Sequence, residues 1–216
     1  MTEPNPELLL NNLRTFPKYW DGKRCILELK EADFQWRQME WIGFYFEYLC
    51  RKYLSSMMEI PGPRYGNVSF DAFWCFPWDF KAHVEHDKHG RPQPTSIIND
   101  QEAIDQAISD YGKIGLIIAS GIADYNDEDK TFKNWHEVLK GDSSNYVIEG
   151  RKRGRRSRLR KVSFKVTKYC IYLLDNSNLV NLGIYNQGQN SNTNPRPPKY
   201  KINLIKNKPF AAINIS

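Results

Sequence analysis

The sequence lacks the features of a membrane or secreted protein. It contains no run of about 18 apolar residues, the length that a helix needs to cross a bilayer. The N-terminal stretch MTEPNPELLLNN is acidic and polar, with only three consecutive leucines, which is not the pattern of a secretory signal. We therefore expect a soluble protein with a cytoplasmic location.

Cysteine is scarce, and its spacing is wide. The chain has four cysteines and no CxxC pair, whereas structural zinc sites and disulfide frameworks normally show closer spacing. Each cysteine lies in an apolar stretch, where a free thiol behaves as a small hydrophobic group. We predict that all four are buried and reduced, namely Cys25, Cys50, Cys75 and Cys170.

The net charge of +6 is concentrated in one segment. Residues 150–161, GRKRGRRSRLRK, hold eight basic residues, and without them the chain has 23 basic and 25 acidic residues. A nearly neutral body with one basic patch suits a polyanionic partner. A nuclear localisation signal and a disordered polybasic tail are alternative interpretations, although the internal position disfavours a tail.

The apolar periodicity predicts an α/β or α+β fold, with a mixed central β-sheet flanked by helices. Apolar runs indicate strands, and 3.6-residue spacing between polar ends indicates helices. Helices are predicted at Pro6–Leu13, at about 34–54 with Asp33 as N-cap, at 96–112 with Asn99 or Asp100 near the cap, and at 127–141. Strands are predicted at Arg24–Leu29, 67–73, 77–84, 113–125 and 162–175, with a break at Pro77 before the third of them. A final strand is predicted after a polar loop near 185–200.

The stretch FDAFWCFPWDFKAH, residues 70–83, places charged side chains among aromatic ones. Charged groups next to apolar surface are costly unless they are paired or bind something. Asp79 and Lys81 alternate along a predicted strand and so share a face. Asp71 ends the preceding predicted strand, and a short hairpin would bring it beside Asp79. Two close carboxylates repel each other unless a divalent cation lies between them, which suits Mg²⁺.

The pattern Asp71…Asp79-Phe80-Lys81 resembles the signature of the PD-(D/E)xK nuclease superfamily. The gap of eight residues is shorter than is usual there, and Phe70 stands where a proline is usual. The predicted order helix, hairpin, helix, strand is also similar to the core of those enzymes. The downstream stretches FKNWHEVLKG, RKRGRRSRLRK, NQGQNSN and PRPPKY resemble a group of bacterial Type II restriction endonucleases, so that the resemblance covers residues 36–204.

The resemblance implies roles for particular residues. Asp71 and Asp79 would bind Mg²⁺, and Lys81 would position a water molecule or stabilise the pentavalent phosphorus. In many of these enzymes an acid from the preceding helix joins the site. Glu40 and Glu47 lie seven residues apart on one predicted helical face, and we favour Glu47 because it lies closer in sequence to Asp71.

Several residues are candidates for DNA contact. His83 continues the face of Lys81, and it is the first of three histidines, with His86 and His89, for which a transition-metal site is the weaker alternative. Arginine and amide side chains are suited to phosphate, guanine and adenine. The other candidates are Arg151, Arg153, Arg155, Arg156, Arg158, Arg160 and Lys161 in the basic segment, and Gln187, Asn190 and Arg196 in the polar loop.

Taken together, the sequence predicts one nuclease domain that cleaves double-stranded DNA at specific sequences with Mg²⁺, as a Type II restriction enzyme does, in a bacterial or archaeal cell. A palindromic target would require two active sites, so a homodimer is expected, and no membrane partner is expected. The alternatives are a repair, homing or mobile-element nuclease, a non-catalytic nucleic-acid-binding protein, and a metal-binding protein built on the three histidines. The predicted parts are an N-terminal segment at 1–30, a catalytic core at 34–120, the basic segment at 150–161 and the polar loop at 185–200.

Overall fold

The computed structural model describes residues 3–61, 69–141, 159–188 and 196–215, together with residues 148, 152 and 154. Within these residues the chain forms two sheets and six helices. The helices are α1 (Pro6–Leu13), α2 (Gly22–Glu31), α3 (Trp41–Leu54), α4 (Gln101–Tyr111), α5 (Thr131–Lys140) and α6 (Asn176–Leu179). The strands are β1 (Tyr19–Asp21), β2 (Ala72–Trp74), β3 (Phe76–Val84), β4 (Thr95–Asp100), β5 (Lys113–Asp124), β6 (Ser163–Asp175), β7 (Gly183–Tyr185), β8 (Lys199–Asn203) and β9 (Ala211–Asn214).

The two long strands β5 and β6 form the centre of the larger sheet. They pair antiparallel, and β3 pairs parallel with the other edge of β5. The strand order is β1-β6-β5-β3-β2, with β9 also paired to β6. Strand β5 is buried along most of its length because its apolar run is covered on both faces. The predicted mixed α/β fold with a helix-flanked sheet is confirmed.

Two apolar cores lie on opposite faces of this sheet. The first packs β3, β5 and β6 against α1, α2 and α3, and it includes the fully buried Trp20, Phe46 and Phe80. The second packs the other face against α4 and against a three-stranded sheet with the order β4-β8-β7. Strand β3 therefore lies between two apolar layers.

Four cysteines are free thiols, as predicted. Cys25, Cys50 and Cys170 are buried, whereas Cys75 is only partly buried because it occupies the turn between β2 and β3. No helix in the part of the chain described above is long and apolar enough to span a membrane.

Two predictions for the N-terminal third are wrong. The strand expected at Arg24–Leu29 is helix α2, whose first turn is capped by the Asp21 carboxylate accepting from the Arg24 amide at 2.9 Å. The helix expected from residue 34 begins only at Trp41, because Asp33 has a φ of 48° and does not cap it. Short apolar clusters between turns do not separate helix from strand by periodicity alone.

Three boundaries elsewhere also differ. Pro77 does not break the strand; it lies inside β3, and the chain turns at Cys75, whose φ is 61°. Strand β3 pairs with β5 only from Trp78 onward, so the missing amide of Pro77 leaves that pairing intact. The helix predicted from residue 96 begins after β4, and β9 follows the strand that we expected to be last.

Gly115 is required by its neighbour on β3. It lies beside Trp78 in the parallel register, and an added Cβ would overlap the indole ring. We expect Gly115→Ala to lower the free energy of unfolding by about 1–3 kcal/mol, because the close-packed core has no room for the methyl group. The measurement is the urea midpoint. The matched control is Gly43→Ala in α3, where an added Cβ meets nothing within 4 Å and is expected to stabilise the helix by about 0.5–1 kcal/mol. Equal midpoints for the two variants would contradict the packing argument.

Candidate active site

The hairpin of β2 and β3 sets Asp71 opposite Asp79. The Asp71 amide donates to the Trp78 carbonyl at 3.0 Å, and the Phe80 amide donates to the Asp71 carboxylate at 2.7 Å. Asp71 directly precedes β2 and does not end a strand, but it continues the antiparallel register of Ala72 with Trp78. Directly opposed residues point to the same face of a sheet. The two carboxylates therefore come together, as predicted.

Asp79 and Lys81 lie on one face of β3, and Phe80 lies on the other. In the parallel register, Asp79 is beside Leu116 and Lys81 is beside Ile118, which belong to the core on the α4 side. Phe80 packs edge-on against Phe46 of α3, with ring centroids 6.3 Å apart. The aromatic neighbours of the charged residues thus anchor β3 while its charged side chains stay on the opposite face.

The Asp79 carboxylate is almost completely buried and is held by one cation. The Lys81 Nζ lies 2.7 Å from its Oδ2, with 4% of the Asp79 side chain and 26% of the Lys81 side chain exposed. Oδ2 itself is closed to solvent, and the Lys81 ammonium is its cationic partner. A buried carboxylate stays charged when a neighbouring cation neutralises it in this way.

The electrostatics of the pair follow from burial and mutual repulsion. Burial raises the pKa of Asp71 well above its ordinary value, and the Asp79 carboxylate raises it further. Burial alone would lower the pKa of Lys81, but attraction by Asp79 and Asp71 outweighs that effect and raises it. Lys81 is therefore a charged ammonium at neutral pH, and it lies beside two carboxylates that repel each other.

Of the two glutamates considered, only Glu47 lies at this cluster. Burial and the repulsion of Asp79 raise the pKa of Glu47, the Lys81 ammonium lowers it, and the result is about 7. Glu40 lies one residue before α3, and its carboxylate pairs with the Lys161 Nζ at 2.5 Å. The acidic cluster is therefore Asp71, Asp79, Lys81 and Glu47, a name we use below.

One neighbour of the acidic cluster was not found from the sequence. Cys50 is buried in α3, and burial raises the pKa of its thiol, with further contributions from Asp71 and Glu47. Residues three apart on a helix share a face, so the spacing of Glu47 and Cys50 is the signal that was available. The thiol remains protonated and closes the apolar side of the cluster.

The histidines do not converge. His83 is buried, and its Nε2 lies 2.8 Å from the Gln93 carbonyl oxygen, an environment that does not favour the predicted contact with a DNA backbone. His86 forms an isolated bridge with Pro92, and His89 is exposed in the following turn. Within the described ranges, no three His, Cys, Asp or Glu side chains form a preformed metal site.

The structure describes only some of the predicted DNA-contacting residues. Arg160 is buried, Lys161 is paired with Glu40, Gln187 donates to the Pro197 carbonyl at 2.8 Å, and Arg196 is exposed. Their contact with DNA remains a prediction. The remaining candidates lie outside the described residues, namely Arg151, Arg153, Arg155, Arg156, Arg158 and Asn190.

Comparison with protein-family models, with curated proteins and with solved structures found no significant match to this chain. The site is therefore interpreted from its own geometry and from the resemblance of its short motif.

The raised pKa of Glu47 predicts a pH-dependent stability. A carboxyl group whose pKa is higher in the folded state stabilises the fold while it is protonated, and that contribution is lost as the pH rises from about 4.5 to about 7. In EDTA, we expect the free energy of unfolding of the wild type to fall by about 1–3 kcal/mol over this window relative to Glu47→Gln. Urea unfolding at several pH values provides the measurement. A Glu47→Gln slope equal to that of the wild type would refute the assignment.

Proposed function

We propose that the chain is a Mg²⁺-dependent endodeoxyribonuclease with a PD-(D/E)xK core, most similar to Type II restriction endonucleases. The observation that carries this proposal is the acidic cluster, in which Asp71 lies opposite Asp79, Lys81 pairs with Asp79, and Glu47 of α3 interacts electrostatically with Asp79 and Lys81. Three of these residues are the Asp…Asp-x-Lys pattern of the signature. A structural ion pair would need only Asp79 and Lys81, so the second aspartate and the glutamate favour a functional site.

The order of elements around the acidic cluster supports the same proposal. Helix α3 is followed by the β2–β3 hairpin, then by α4 as a crossover helix, and then by β5, which is parallel to β3. This is the helix, hairpin, helix, strand order that the resemblance implies for the nuclease core. The intervening strand β4 belongs to the smaller sheet and does not interrupt the order within the larger one.

Asp71 and Asp79 would hold the cation. Mg²⁺ is usually bound through one or two carboxylates, with substrate phosphate oxygens and water completing its shell, so two aspartates suffice. The hairpin register that sets Asp71 opposite Asp79 supports this role. When bound, Mg²⁺ would polarise the scissile phosphate and lower the pKa of a bound water molecule.

Lys81 supplies a fixed positive charge next to the reacting phosphate. Its ammonium stays protonated and its side chain is 26% exposed, so it lies between the buried Asp79 and solvent. In hydrolysis, a water oxygen bonds to phosphorus, the bond from phosphorus to the sugar oxygen breaks, and the leaving oxygen gains a proton. The ammonium orients the water and stabilises the negative charge that develops on the phosphoryl oxygens.

The basic segment would hold the DNA backbone. The sequence concentrates eight basic residues at 150–161, and its described end, Arg160 and Lys161, lies near the start of α3, the helix that carries Glu47. Phosphate contacts would position the duplex without reading its sequence. Base contacts from the polar loop and a homodimer for palindromic sites belong to the same proposal.

The decisive experiment incubates the purified protein with bacteriophage and plasmid DNA, in Mg²⁺ or in EDTA. We expect discrete Mg²⁺-dependent fragments on a gel, and a loss of about 10²-fold or more in cleavage rate for Asp79→Ala and for Lys81→Ala, because each variant removes charge at the reacting phosphate. Binding of DNA, measured by gel shift in EDTA, should be retained by both.

Two matched variants control for general effects of losing charge. Asp110→Ala and Lys206→Ala remove exposed residues of the same types away from the acidic cluster, and both should cleave at the wild-type rate. Full activity of Asp79→Ala would remove the proposed active site. A salt-sensitive gel shift without cleavage by the wild type would favour a non-catalytic DNA-binding protein.

The basic segment makes a separate prediction. If Arg155 and Arg156 each neutralise one phosphate, replacing both by Ala should weaken DNA binding and reduce the slope of log K against log salt by about 1.8. Fluorescence anisotropy of a labelled duplex over a salt series is the appropriate measurement. A double variant with the wild-type slope would show that these arginines do not touch phosphate.

A further inference from the structure

A cavity of about 370 Å³ opens between the start of α3 and the turn that follows β3. Its walls come from four separate segments of the chain: residues 39–42, residues 87–91, Tyr125, and residues 159–161 at the end of the basic segment. Its volume lies within the range of about 300–1,000 Å³ that is usual for small-ligand sites. None of the roles proposed above for the acidic cluster uses it.

Among the described residues, two of the four cations on the cavity wall have no carboxylate partner. Arg91 pairs with Asp87 at 2.7 Å, and Lys161 pairs with Glu40 at 2.5 Å. Lys88 and Arg160 form no ion pair within the described residues. Glu137, Glu40 and Asp127 act on Arg160 only through longer-range attraction, and burial lowers its pKa.

Of Lys88 and Arg160, Arg160 gives the stronger indication of what the cavity binds. Its side chain is more than nine-tenths buried, and its Nη1 has no hydrogen-bond partner among the described residues. A buried guanidinium donor without a partner is costly, and it is satisfied when an anionic oxygen is bound. Arg160 and the exposed Lys88 at the rim form the anion-binding wall of the cavity. Because the Nη1 atom has almost no solvent-accessible surface, an anion reaches it only after the Arg160 side chain turns toward the cavity.

The rest of the lining consists of His89 and of apolar and aromatic side chains, among which the ring of Tyr125 is accessible. Met39, Ile42 and Leu159 contribute aliphatic surface, and the partly buried Tyr125 contributes a ring close to Glu40 and Asp87. Nucleobases bind to such surfaces by stacking on an aromatic side chain and by burial of their faces. An anion-binding wall next to an aromatic and aliphatic floor matches a base joined to its phosphate.

The cavity lies close to the acidic cluster when the distance is compared with the spacing of nucleotides in DNA. Ile42 at its edge lies five residues before Glu47 in α3, which is about 7.5 Å along the helix axis. This axial rise is comparable to that of about two stacked nucleotides, each of which rises about 3.4 Å along a strand. A second open cavity shares Asp87, Lys88, Tyr125 and Leu159 with the first, and its further lining includes Asp124 and Glu128.

We propose that this cavity binds one nucleotide of the substrate strand, with its base against Tyr125 and its phosphate on Arg160 and Lys88. The substrate then contains an unstacked base within a few nucleotides of the cleaved bond. This assignment rests on the proposed nuclease function for its substrate, although the nucleotide site itself can be tested without cleavage.

The test is isothermal titration of the four deoxynucleoside monophosphates into the full-length protein in EDTA, which prevents phosphate from binding through a metal at the acidic cluster. We expect at least one of dAMP, dGMP, dCMP and dTMP to bind. Lys88→Ala and Tyr125→Leu should each weaken binding by about tenfold or more, whereas the exposed controls Lys206→Ala and Tyr19→Leu should not. Arg160→Gln should abolish binding, and Lys88→Ala decides the matter if that buried substitution impairs folding.

Competition then identifies the ligand. Excess duplex DNA that binds in a gel shift should displace the nucleotide. No nucleotide binding, or inorganic phosphate binding as tightly as the nucleotides, would overturn the proposal. Binding that DNA does not displace would also overturn it, because the site would then serve a free nucleotide. The Asp79→Ala variant should bind nucleotide like the wild type, so a failure of the nuclease proposal leaves this result unaffected.

Discussion

The ion pair between Lys81 and Asp79 is the interaction on which the acidic cluster depends. Three carboxyl groups in one partly buried region repel each other and lose hydration, which raises the pKa of Asp71 and of Glu47. Lys81 is the cation that offsets this repulsion, and its contact with the nearly fully buried Asp79 is 2.7 Å long. Removing one member of such a pair leaves a buried charge unmatched. The fold therefore holds together a group of charges that would otherwise move apart, which is the condition under which a cation and a phosphate can be bound.

The central part of the fold was predictable because its signals are local and strong. The apolar run of β5, the amphipathic helices α4 and α5 with glycine at their C-caps, and the long strand β6 all appear near their predicted positions. The region before α3 was not predictable from the sequence. The start of α2 depends on the Asp21 cap, and the turns that follow α2 depend on the positive φ values of Asp33 and Gln35. Neither feature has a distinct periodicity. The break predicted at Pro77 failed for a related reason, since only pairing with β5 shows that the strand tolerates proline there.

The acidic cluster was predictable to the extent that it is local. Alternation places Asp79 and Lys81 on one face, and a hairpin of a few residues brings Asp71 opposite them. The choice of Glu47 over Glu40 rested only on its shorter sequence distance to Asp71, whereas in the structure Glu40 pairs with Lys161 and Glu47 interacts with Asp79 and Lys81. The cavity between α3 and the turn after β3 could not be predicted from the sequence, because four segments distant along the chain form it. Arg160 is buried there, whereas its place in a basic run would suggest an exposed arginine.

The parallel pairing of β3 with β5 also orders events during folding. Asp71 and Asp79 are joined by a short hairpin, so their backbone contacts close a small loop at low entropic cost. The pairing of β3 with β5, by contrast, requires the crossover through residues 85–112 to be in place, and such non-local contacts form slowly. The hairpin that carries the aspartates is therefore expected to form before the sheet that supports it. The carboxylates then meet while water still surrounds them, and their repulsion grows only as the slower, parallel half of the sheet closes.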